Sequence, residues 1–213
     1  VFCESMSDIG LDDEELTFAE RMRLIARGFM SMDHVRGAFF DTIEATPEHR
    51  YQVLTKRPEV LLEHFEARSR KVPSNVWIGT TIGHEKSLYR LDVLRKFRDR
   101  GARVLFISAE PLLCDLAPLI DLRGIDWLIV GGESGNHATD TVGTRGQLRH
   151  ADRFLVWNPP KLGWTPRADR AQWVRYLCAA AKVAGTAFFF KQWGGTKPGS
   201  AGRELDGRTW DEL

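Results

Sequence analysis

Two kinds of hydrophobic pattern alternate along the chain. Short, nearly continuous apolar runs occupy residues 1–6, 50–55, 76–82, 103–108, 127–130 and 186–190. Such runs fit strands buried on both faces. Between them lie stretches whose apolar residues recur every three or four positions, and helices are predicted over residues 11–27, 33–45, 58–70, 84–100 and 169–184. Punctuation supports these elements. Asp12 to Glu15 put negative charge where a helix dipole favours it. Pro47 breaks one helix and Pro58 is suited to open the next. Gly101 and Gly185 stand where helix C-caps are expected.

Strand and helix alternate throughout, which implies parallel strands joined by right-handed crossovers. An open doubly wound sheet gathers its ligand at one switch point, so few of its strands need polar ends. Here five or six strands end in polar or charged residues, which spreads a site around a ring and favours a barrel. No Gly-x-Gly-x-x-Gly follows the first strand, and no phosphate-loop Gly-Lys-Ser/Thr occurs. The expected fold is α/β, a partial (β/α) TIM-like barrel with parallel strands, about six of them, filling residues 1–194 as one domain. The pattern fades over residues 136–166, a long excursion containing Trp157 and Trp164. Loops of that length at strand ends often carry function. Residues 195–213 form a polar, glycine-rich tail expected to run over the surface.

The strand ends collect the candidate chemistry: Asp8, Lys56, Arg57, Thr80, Thr81, Glu110, Glu133, Ser134, Lys191 and Gln192. In a parallel barrel these face one mouth, where cations can hold an anion and acids can hold an amine or move protons. The same residues can also serve as structural ion pairs. The run Trp127 to Val130 stops at Gly131-Gly132, and Glu133 follows. Two glycines permit a sharp turn and close approach of a ligand to the backbone. Glu133 or Ser134 could alternatively cap a helix. Glu110 precedes Pro111, which favours extended backbone at Glu110. Lys56 and Arg57 are adjacent and should diverge, one inward and one to the rim. Trp193 would wall the mouth or pack in the core.

A net charge of +1 provides no global field to steer nucleic acid, so a nucleic-acid partner has no support from charge. Arg90, Arg95, Lys96, Arg98 and Arg100 read as a solvated helix face. Cys3, Cys114 and Cys178 are odd in number and far apart, which suits a reducing, cytoplasmic setting rather than disulfides. Neither they nor the six histidines show metal-ligand spacing, so no metal site is expected in this chain. No apolar run reaches the roughly 18 residues of a membrane span.

Six motifs occur in order: Ser-Met-Ser-Asp, Gln-Val-Leu-Thr-Lys-Arg-Pro, Asn-Val-Trp-Ile-Gly, Ser-Ala-Glu-Pro-Leu-Leu, Val-Gly-Gly-Glu-Ser-Gly and Phe-Phe-Phe-Lys-Gln-Trp-Gly. The tail adds Gly-Arg-Glu-Leu-Asp-Gly-Arg-Thr-Trp. Over nearly its whole length the chain resembles the bacteriophage gene-product-thirty-seven family. That family is similar to radical S-adenosylmethionine (SAM) enzymes and, distantly, to spore photoproduct lyase. Its members carry a three-cysteine segment after the first strand, taken to hold a 4Fe–4S cluster. The resemblance implies reductive cleavage of SAM and hydrogen abstraction from a substrate, with nucleic acid among the candidates. Val1 is not an initiator methionine and Val1-Phe2-Cys3 reads as mid-strand, so the chain is expected to start downstream of that segment, with the cluster ligands outside it. The excursion at 136–166 looks longer than is usual for the family.

On this reading Glu110, Gly131, Gly132, Glu133 and Ser134 would contact the small-molecule cofactor. Asp8, Lys56, Arg57, Thr80, Lys191 and Gln192 would contact substrate or an anion. Two rival readings use the same residues. One is a cofactor-free barrel in which Glu110, Glu133 and Lys56 do acid–base or hydrolytic work. The other is a non-catalytic binding domain in a phage or defence setting.

Overall fold

A computed structural model describes residues 2–3, 8–133, 155–158, 163–195 and 199–213. Six strands form one sheet: β1 (Phe2–Cys3), β2 (Tyr51–Thr55), β3 (Val76–Thr81), β4 (Val104–Ala109), β5 (Trp127–Gly131) and β8 (Ala187–Gln192). Two more, β6 (Leu155–Asn158) and β7 (Gly163–Pro166), form a separate antiparallel ribbon. The helices are α1 (Phe18–Ala26), α2 (Met32–Glu44), α3 (Pro58–Ala67), α4 (Arg90–Lys96) and α5 (Ala168–Ala184). Strand order in the sheet is β1-β2-β3-β4-β5-β8. Spatial order therefore follows chain order without reversal, so the sheet has no switch point of the doubly wound kind. The fold is α/β, a parallel sheet of six strands with flanking helices, consistent with the expected partial (β/α) barrel. Among the described residues no helix is long and apolar enough to cross a membrane.

The chain divides into two compact units, Val1–Thr81 with Tyr89–Phe106, and Ile82–Leu88 with Ile107–Leu213. In the first, β2 pairs parallel with both β1 and β3. Its core is aromatic: Phe40, Phe65, Phe97 and Phe106 are fully buried. The Phe106 ring lies so close over Gly79 that a Cβ there would stand 2.3 Å from the ring, so β3 needs glycine at that point. The helix expected over residues 11–27 is split into a 3-10 turn at Asp13–Glu15 and α1. Local capping causes the break. The Glu15 carboxylate accepts from the Asp12 N–H at 3.0 Å. Thr17 and Glu20 then restart the helix with a reciprocal capping box. The helix expected over 84–100 is likewise shortened to a 3-10 turn at Glu85–Ser87, capped by His84, and α4.

In the second unit β5 and β8 pair parallel, and every residue of β5 is buried, as its unbroken apolar run requires. Gly185 ends α5 in the left-handed conformation, at φ +71°. Two features differ from expectation. The irregular excursion contains the β6–β7 ribbon, with Trp157 directly opposite Trp164. The tail does not merely cover the surface. Trp210 and Leu205 are buried, the Phe190 N–H donates to the Trp210 carbonyl at 3.0 Å, and the Glu212 N–H donates to the Phe188 carbonyl at 3.2 Å. β8 is the edge of its sheet, and the returning tail pairs backbone groups that an edge otherwise leaves open.

Candidate functional site

Among the described residues two clusters of strand-end side chains occur, one in each unit. In the first unit the Asp8 carboxylate accepts four hydrogen bonds. One oxygen takes the Gly10 N–H at 2.9 Å and the Thr55 hydroxyl. The other takes the Lys56 N–H at 2.9 Å and the Arg57 guanidinium at 3.1 Å. An ionised carboxylate has about four acceptor positions, so Asp8 is saturated. Arg57 is held from the other side by Glu15. The Asp12 N–H and the Arg57 guanidinium hold the Glu15 carboxyl below the usual carboxylate range. Gly10 is demanded by packing, because a Cβ there would meet Thr55 Oγ1 at 2.5 Å and the Arg57 carbonyl at 2.9 Å.

The second cluster stands at the ends of β4, β5 and β8. The Glu110 carboxylate, 17% exposed, lies between the Ser108 hydroxyl at 3.2 Å and the Lys191 ammonium at 3.2 Å and 3.3 Å. It rests on Gly131, where a Cβ would stand 2.7 Å from Oε1. Lys191 reaches it through an irregularity in pairing. Val130 pairs with Phe190 but Gly131 pairs with Gln192, so Lys191 is the extra residue of a bulge. Bulges commonly re-aim a side chain near a site. The Glu110–Pro111 peptide is cis.

The neighbouring backbone is tied down by the end of β8 and by the tail. The Gly132 N–H donates to the Gln192 carbonyl at 3.0 Å, and the Gly195 N–H donates to the Glu133 carbonyl at 2.9 Å. The Gln192 side chain accepts from the Gly199 N–H at 2.7 Å, and its amide faces the Gly132 carbonyl at 3.5 Å. Gly194 has φ +97°, and a Cβ on it would lie 2.0 Å from the Glu133 carbonyl.

The structure thus sorts the strand-end residues. Glu110, Gly131, Gly132, Lys191 and Gln192 come together in the second unit. Glu133 is half-buried beside them, and Ser134 lies outside the described residues. Asp8 and Arg57 are committed to each other, and Arg57 turns inward while Lys56 is exposed, as their adjacency predicted. Among the described residues the Lys56 ammonium makes no ion pair. Thr80 is fully buried and donates to the Thr55 carbonyl at 2.8 Å, stitching β3 to β2. Thr81 offers its carbonyl to Arg90 at 2.7 Å. Trp193 is a core residue, 7% exposed, with its ring 4.5 Å from that of Phe190 and its indole N–H donating to the Glu204 carbonyl at 2.9 Å. Sequence reasoning missed Ser108 and Glu15. Ser108 was within reach, since residues two apart on a strand share a face.

Among the described residues no group of three or more His, Cys, Asp or Glu comes together as a metal site. Burial pushes the thiols of Cys114 and Cys178 up, away from the thiolate form that a cluster needs. The described residues therefore do not fit an iron–sulfur cluster.

The profile of one family, described as "Protein of unknown function (DUF5131)", matches residues 1–143 and 162–213. The chain belongs to that family. Both clusters lie inside the DUF5131 match, whereas residues 144–161 of the excursion lie outside it. No curated protein and no solved structure matches the chain.

Proposed function

We propose that the Glu110–Lys191 cluster binds the amino-acid end of SAM, and that the chain is the cofactor-binding part of a radical-SAM-like enzyme. One observation carries this reading: a carboxylate and an ammonium are paired over a glycine floor at three strand ends, with little else fixing them. An α-amino acid group is itself a zwitterion. Its ammonium complements Glu110 and its carboxylate complements Lys191, so one internal ion pair is exchanged for two with the ligand, without net charge being buried. Lys191 is half-exposed, which lets it swing from Glu110 to a ligand carboxylate. Gly131 leaves the space beside Glu110 that any side chain would fill. Ser108 orients the carboxylate, β8 holds the Gly132 backbone through Gln192, and the tail holds the Glu133 backbone through Gly195.

In enzymes of this kind bound SAM would be the molecule cleaved, by an electron from an iron–sulfur cluster whose ligands the described residues do not provide. The residues of this chain bind and orient the methionyl portion, and the strand-order likeness to a barrel and the family motifs support that assignment. Calorimetric titration tests it. SAM should bind the 213-residue chain, and methionine should compete while adenosine should not. Absence of SAM binding, or competition by adenosine alone, contradicts the proposal.

A further inference from the structure

Two strand ends of the first unit carry cations that the frame around Asp8 does not use. Thr55 pairs with Thr80, so Lys56, the next residue after β2, stands beside Thr81 at the end of β3. The Lys56 N–H is fixed on Asp8, while its side chain is exposed and makes no ion pair among the described residues. The Thr81 carbonyl accepts from the Arg90 guanidinium at 2.7 Å, which brings a second positive charge to the same edge. Arg90 is half-buried, and its guanidinium carbon lies 5.6 Å from the centre of the Tyr89 ring. Its Nε atom is enclosed without a hydrogen-bond partner.

A carboxylate in the same state stands in the first turn of α3. Glu59 is half-buried, and its Oε2 atom is enclosed without a partner. Helical spacing puts it with Arg90 in the seam between α3 and α4. Glu59 lies two turns before Glu66, which faces Arg100 across that seam at 3.6 Å. Arg90 lies two turns before Phe97, whose ring centre is 6.2 Å from that of Phe65. An enclosed donor and an enclosed acceptor that do not meet are each satisfied by a group that enters between them. Two cations and one carboxylate leave a single positive charge for that group to balance. Helix α3 opens on Pro58 with no side-chain cap, so its positive end adds to the same field.

We propose that this edge binds a protonated phosphate group, with Lys56 and Arg90 holding its anionic oxygens and Glu59 accepting the hydrogen bond of its P–O–H. The carboxylate supplies selectivity. Sulfate has no proton to offer near neutral pH and sets its charge against Glu59, whereas a phosphate group still carries a proton at about pH 6. The site lies wholly in the first unit and uses no residue of the Glu110–Lys191 cluster, so its test does not depend on SAM. Titration calorimetry of the 213-residue chain with inorganic phosphate at about pH 6 should show saturable binding, and sulfate should bind at least about tenfold more weakly. Lys56→Met should weaken phosphate binding at least about tenfold. Lys56 is exposed, so the urea midpoint of that variant should match the parent chain. Glu59→Gln keeps the shape but not the charge, and should bring sulfate within about threefold of phosphate. Absence of saturable phosphate binding, binding indifferent to Lys56→Met, or a preference for phosphate that survives Glu59→Gln would each overturn the proposal.

Discussion

Asp8 and Glu110 are both carboxylates at strand ends, and each lies beside a glycine, Gly10 or Gly131, on which a Cβ would press against a neighbour. Their surroundings nevertheless give them different roles. Asp8 accepts from two backbone N–H groups, a buried threonine hydroxyl and a guanidinium that Glu15 also holds. Those donors are fixed, and they fill the positions a ligand would need. Glu110 accepts from a serine hydroxyl and a half-exposed lysine, both on side chains that can rotate away. A strand-end charge is therefore available for binding when its donors are few and movable. When they are many and rigid, it is part of the frame.

Substitutions can break this comparison, beginning with the largest effect. Asp8→Ala leaves the Arg57 charge and three further donors without their acceptor, and should cost about 3 kcal/mol in urea unfolding. The matching change Glu110→Gln should cost under about 1 kcal/mol, because half-exposed Lys191 has water as an alternative and the glutamine oxygen can still accept from the buried Ser108 hydroxyl. Equal losses would remove the distinction. The glycines sharpen it. In Gly10→Ala the new methyl would meet Arg57 backbone, which cannot yield, so about 2 kcal/mol should be lost. In Gly131→Ala it would meet only the mobile end of Glu110, so stability should change by under about 1 kcal/mol while SAM affinity falls at least tenfold.

Acid should act on the first unit in two smaller steps. Burial holds the His64 imidazole below its usual pKa, with its Nδ1 atom 2.7 Å from Asp33. The neutral ring is then the form that the fold favours, so stability present above pH 6.5 declines as pH falls below that value. The Arg68 guanidinium, opposed in part by burial and aided by His64, lowers Asp33 to about 2. Its contribution is present above its ordinary pKa of 3.8 and is lost as pH falls towards 2. Urea midpoints measured from pH 7 to pH 3 should fall in both ranges. His64→Gln should abolish the upper decline, and a curve flat down to pH 4 would contradict this reading.

Much of the fold was legible because burial and period are local signals. All six sheet strands and their parallel alternation follow from apolar runs and helical spacing. Helix α1 was misjudged in length because capping at Thr17 outweighed a continuous polar–apolar pattern. The tail was read as surface because its glycines and charges hide one long-range partner, Trp210 against β8. The same limit applied at the site. Strand ends could be enumerated from sequence, but which carboxylate is saturated depends on contacts such as Asp8 with Thr55 and Glu110 with Lys191, far apart in the chain.

The availability of Glu110 for a zwitterionic ligand is the central claim, and paired binding and unfolding measurements on Glu110→Gln test it most directly. The account predicts that this variant keeps the wild-type urea midpoint within about 1 kcal/mol of stability and loses SAM affinity at least tenfold. Retained affinity, or a loss that merely follows a collapse in stability, would show that Glu110 belongs to the frame as Asp8 does.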